Sequence, residues 1–132
     1  MRRQGGQALA EVALCLPVVL ALALGTVAVA RVADARGGLD AATAAAAQAA
    51  ARAPDAATAA NSAQSVFSAS VAAYGLAAPS LALDLGGFAR GAVITASATA
   101  RVAIGFAPVP GLPATVTLAA RASALVEPWR SR

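Results

Sequence analysis

Glu11 is the residue in this chain whose type and place most need a chemical explanation: it is an acid at the head of the uncharged apolar run from Val12 to Ala30. An ionised carboxylate among apolar residues at the start of a membrane helix is costly, so it calls for a partner and, through that partner, a function. A plainer account is that a carboxylate in the first helical turns interacts favourably with the macrodipole and stays at the headgroup level. Elsewhere the chain gives catalysis little footing. It has no histidine, which removes the usual general base and the commonest metal ligand. The other acids, Asp34, Asp40, Asp55, Asp84 and Glu127, stand singly, and no spacing matches a calcium loop or a phosphate-cradling glycine motif. We expect a non-enzyme with no metal, no cofactor and no small-molecule substrate.

The element that must position Glu11 is the apolar run itself. At about 1.5 Å of rise per residue it covers about 28 Å as a helix, close to the hydrocarbon thickness of a bilayer. Arg2 and Arg3 precede it and Arg31 and Arg36 follow it, so the flanking positive charges are tied. The leading pair sits on a very short arm without an acid, whereas Asp34 and Asp40 lie beyond the exit. We therefore expect a single-pass cell-membrane protein with a cytoplasmic N-terminus and the bulk of the chain outside.

Counting from Gly6, the residues Gln7, Ala8, Leu9 and Ala10 follow and Glu11 takes the fifth place. This arrangement resembles the type IV prepilin processing site, in which a basic leader ends at a glycine and a membrane-embedded aspartate peptidase cuts after it. In that family an acid occupies the fifth position of the mature chain. The stretch from Gly6 to Leu14, continuing through Cys15, Leu16 and Pro17, resembles the TadE-like pseudopilins of tight-adherence (Flp) pilus systems. The resemblance is good over about the first forty residues and is a matter of layout beyond them. It implies Gly6 as the cut site, Gln7 as the new N-terminus and Glu11 as the acid that pairs subunits. It also implies prepilin peptidase, other pilin or pseudopilin subunits and the assembly machinery as partners, and a minor or priming role in pilus assembly or a related secretion machine. The small residues Ala21, Gly25 and Ala28 would then allow close helix contact. A cut at Gly6 would free an α-amine on Gln7, which an acid one helical turn deeper could neutralise on a neighbouring subunit. Glycine, lacking a side chain, lets the backbone extend into a protease cleft.

Two other readings are open. Ala28-Val29-Ala30 offers small residues at which an ordinary secretory signal could be cut, although Val12 to Ala30 is long for a signal core and Glu11 intrudes before it. A simple anchored envelope protein with a small outer binding domain needs no cut at all.

Composition limits the rest. The positive charge comes wholly from arginines scattered along the chain, without a basic cluster interleaved with aromatics, so nucleic-acid binding is not expected. Trp129-Arg130-Ser131-Arg132 reads as a solvated tail. Cys15 is the single cysteine, so no internal disulfide can staple the outer part, and it reads as a small packing residue. Phe67, Tyr74, Phe88, Phe106 and Trp129 are the only aromatics, and alanine buries little area, so hydrophobic stabilisation is modest.

The expected fold class is α+β and pilin-like: a basic leader at 1–6, a transmembrane helix at 7–31 and an extracytoplasmic domain at 32–132. Alanine-rich sequence predicts a helix from Leu39 to Ala53, with Gly37-Gly38 as a kink or turn and Asp40 placed to cap it. Pro54 and Asp55 end that helix and open another, to Tyr74, with Gly75 as its stop. From Pro79 the period becomes two. Ser80–Leu85, Val93–Ile104 and Thr115–Ala124 predict a small antiparallel meander, with even positions inward in the two longer strands. Its apolar side is expected to receive the helix from Asp55 to Tyr74, with Phe67 and Tyr74 packed on the sheet.

Overall fold

The computed structural model describes residues 4–105, 111 and 113–127. The basic leader residues Arg2 and Arg3, Phe106, the prolines at 108 and 110 and the Trp129-Arg130-Ser131-Arg132 tail lie outside the described residues. The chain is α+β, as the periodicity requires. Helix α1 runs from Gln4 to Arg52, and α2 from Ala56 to Ala73. Strands β1 (Ala77–Asp84), β2 (Val93–Ala103) and β3 (Thr115–Leu125) follow in that order, forming one antiparallel sheet with β2 in the middle.

Helix α1 continues without a break through Gly37-Gly38, where a kink or turn was expected, and Asp40 is an exposed residue inside it rather than a cap. Two glycines cost a helix about 1 kcal/mol each relative to alanine. Here the alanine-rich flanks and the packing on both sides of the C-terminal part of α1 (32–52, its outer half) offset that cost. Buried positions Ala35, Leu39, Ala42, Ala46 and Ala50 form one stripe at intervals of three and four. Thr43, Ala47 and Ala51 form a second beside it. Two adjacent stripes make a face too wide for one neighbour, and α1 accordingly packs on α2 and also on β2 and β3.

That arrangement corrects the expected docking. The sheet receives the outer half of α1, while α2 lies mainly against α1 and, among the strands, chiefly against β1. Phe67 is buried and belongs to the shared core, but Tyr74 is half exposed. The Tyr74 ring lies over Gly38 of α1, not over the sheet: a methyl group on Gly38 would come within 2.5 Å of the Tyr74 Cγ. Alanine explains why the helix could serve either surface. Its small side chain lets backbones approach closely and carries no directional preference of its own.

Asp55 caps α2 as its position after Pro54 implies. Its Oδ1 accepts from the Thr58 backbone N–H at 2.8 Å and its Oδ2 from the Thr58 hydroxyl at 2.9 Å. Gly75, at φ 63°, closes the helix in the left-handed region. In the sheet, Ile94, Ala96, Ala98 and Ala100 point inward opposite Ala124, Ala122, Ala120 and Leu118, so the expected parity holds in β2 and β3. Leu81 and Leu83 of β1 extend that face, opposite Ala98 and Ala96. Among the described residues, Thr43 is the one buried polar side chain, and its hydroxyl is satisfied by donating to the Leu39 carbonyl at 2.7 Å.

Candidate functional site

Among the described residues, the inner half of α1 is exposed along almost all its length, with Ala28 alone half-buried. Leu9, Val12, Leu14 and Val29 are 72%, 62%, 73% and 71% exposed. An unbroken apolar cylinder of this length cannot be left in water without a large hydrophobic penalty, and its length matches a bilayer. Among the described residues, α1 is the single helix long and apolar enough to cross a membrane. Pro17 lies inside it and removes one ladder hydrogen bond. Thr26 donates its hydroxyl back to the Leu22 carbonyl at 2.8 Å, so this polar group is satisfied within the apolar stretch.

Gly6, Gln7 and Glu11 are all exposed on this half. A Cβ on Gly6 would meet nothing within 4 Å. Gln7 and Glu11 are four apart and share a face. Leu14, Val18, Ala21, Gly25 and Ala28 continue that face at alternating steps of three and four. A straight helix drifts about 20° per seven residues against such a repeat, so the stripe stays within one side over this length. Of the three small residues on it, Ala21 and Gly25 are exposed and Ala28 is half-buried. The continuous helix thus brings the glutamate and the small-residue positions into one line. Glu11 lies about two turns from the helix start at Gln4, beyond the first turn where the macrodipole is felt. The helix end therefore does little to offset its charge while the preceding residues remain attached.

At the outer end of the apolar half, two contacts were invisible in the sequence. One is Tyr74 over Gly38. The other joins Arg31 to the end of the β2–β3 hairpin: a Cβ on Gly105 would collide with the Arg31 guanidinium, and Gly105 has φ 79°. Nothing in the spacing of either pair announces it, because each depends on how sheet and helices stack. Among the described residues, no group of three His, Cys, Asp or Glu side chains lies close enough to hold a metal ion.

Residues 6–52 match the family model for TadE-like protein. The TadE-like segment thus begins at the glycine and ends with the last residue of α1. It takes in the exposed apolar half, Glu11 and the outer half that organises the core. Helix α2 and the three strands lie beyond the match. No curated protein and no solved structure matches the chain.

Proposed function

We propose that this chain is a TadE-like minor pilin or pseudopilin that supports assembly of a tight-adherence (Flp-type) pilus or a related secretion machine. The observation that carries the reading is the TadE-like match over 6–52 on a helix whose apolar inner half is exposed along almost all its length. In this reading the apolar half spans the cell membrane with its N-terminus in the cytoplasm, and the domain from 32 to 132 stands outside. Prepilin peptidase removes residues 1–6. Gly5 and Gly6 suit that step, since two glycines at the head of a helix let the first turn open into the extended form a protease cleft accepts.

Removal of the leader changes the electrostatics of Glu11. The new α-amine of Gln7 lies one turn away, and Glu11 moves from the interior of the helix to its first turns, where a carboxylate is favoured. On a neighbouring subunit displaced along the fibre axis, the same carboxylate meets the amine of the next Gln7, with Ala21, Gly25 and Ala28 letting the helices approach.

Mass spectrometry of the N-terminus from cells containing prepilin peptidase tests the reading. We expect a chain beginning at Gln7. Met1 retained would support a plain anchor, and a start at Arg31 a secreted binding domain. Glu11→Ala is expected to insert normally and to lose assembly, and unchanged pilus output from that variant would remove the pairing role.

A further inference from the structure

We propose that the β2–β3 end of the sheet rests in the lipid headgroup layer beside the point where α1 leaves the bilayer, so that the outer domain touches the membrane at a second place. The proposal rests on the reading that α1 spans the membrane. Strand β3 runs in the same direction as α1. Its end, at Ala124 and Leu125, lines a notch with Gln48, Ala51 and Arg52, while Gly105, at the other end of the hairpin, lies against the Arg31 guanidinium. Arg31 is the first residue after the apolar run, and side chains on a helix lean toward its N-terminus, here toward the bilayer. The headgroup region adds about 5–8 Å to each side of the hydrocarbon core, so a backbone in contact with the Arg31 guanidinium lies within it.

The chain at that end suits the place. The hairpin closes with the Ile104 N–H donating to the Ala114 carbonyl at 3.1 Å, and its strands pair up to Ala103 opposite Thr115. No charged residue occurs in the sequence between Arg101 and Arg121. Arg31, Arg36 and Arg101 lie toward the bilayer, with Asp34 and Asp40 among them. Arginines at this level pair with lipid phosphate, and an uncharged hairpin end beside them enters the headgroup layer without burying a charge.

Because sheet and α1 share one core, the two contacts are rigidly coupled. The outer domain then cannot swivel freely on its helix, which fixes the side it presents to a neighbouring subunit.

The test uses the full chain in phosphatidylethanolamine–phosphatidylglycerol vesicles, in a Cys15→Ala background, with single nitroxide labels on cysteines at Leu20, Ala114 or Leu125. All three positions are exposed, and the last two are separated by about 36 Å along β3. Collision with oxygen, which concentrates in lipid, is compared with collision with a water-soluble nickel chelate. We expect the oxygen-to-nickel ratio to be highest at 20, intermediate and several-fold above the aqueous value at 114, and aqueous at 125. A ratio at 114 equal to that at 125, with 20 still in lipid, overturns the second contact and leaves the span standing. An aqueous ratio at 20 overturns both.

Discussion

Gly37 and Gly38 are neighbours under opposite constraints, and they show how much a single side chain's surroundings decide. A Cβ on Gly37 meets nothing within 4 Å, so Gly37→Ala should gain about 0.5–1 kcal/mol by reducing the freedom of the unfolded chain. Gly38→Ala gains the same propensity but drives a methyl into the Tyr74 ring, and overpacking of that kind costs about 1–3 kcal/mol. Thermal unfolding in detergent should rank Gly37→Ala above the parent and Gly38→Ala below Gly37→Ala by about that cost. Adding Tyr74→Ala should remove most of the difference between them. Asp55 supplies the pH-dependent counterpart. The Thr58 backbone N–H, and after it the Thr58 hydroxyl, hold its carboxyl below the ordinary value of 3.8. A depressed folded pKa means that the cap's contribution is complete above the unfolded value and lost as pH falls through the folded one. The melting-temperature gap between the parent and Asp55→Ala should therefore be constant at neutral pH and close below about pH 4. A gap that persists into strong acid would mean the cap does not depend on the ionised carboxylate. The cap was legible in the sequence because Asp after Pro has a local meaning; the Gly38 contact was not, because its partner is 36 positions away.

Among the elements, the outer half of α1 is the one whose role changed between sequence and structure. Its alanines at 42, 46 and 50 carry no strong amphipathic signal, and the glycine pair read as a break. The strands, by contrast, announced their faces through strict alternation, because a sheet with one buried side tolerates no slip by one residue. Substitutions separate the two surfaces of α1. Ala46, fully buried, should resist enlargement, with Ala46→Leu costing about 1–3 kcal/mol, whereas Ala41→Leu on the exposed side should be close to neutral. Phe67, the largest fully buried side chain among the described residues, anchors α2 to the shared core, and Phe67→Ala should cost about 3–5 kcal/mol. Equal effects at 41 and 46 in a denaturation series would contradict the central position assigned to α1.

For the whole molecule, the division among the described residues is between a half-helix that is almost wholly exposed and a domain that holds the buried core. Among the described residues, no member of the buried core precedes Ala35, with Val32 packed against its edge. A chain starting at Arg31 should therefore stay in solution without detergent, keep its strand signal in circular dichroism and unfold in one cooperative step. Loss of the strand signal in that chain would show that the apolar half supports the domain. The candidate site lies in the half that the domain does not need, which accords with an element whose partners are lipid and other subunits.

The sequence by itself determined the apolar span, the place of Glu11 five residues after Gly6, the α2 cap and stop, and the inward parity of β2 and β3. Each of these is written in neighbouring residues or in a period that local geometry imposes. Only the tertiary structure decided that α1 runs on through Gly37-Gly38, that it lies between α2 and the sheet, and that the hairpin returns to Arg31. Those outcomes come from the stacking of small-residue faces, where alanine allows several arrangements and the summed burial over the whole core selects one.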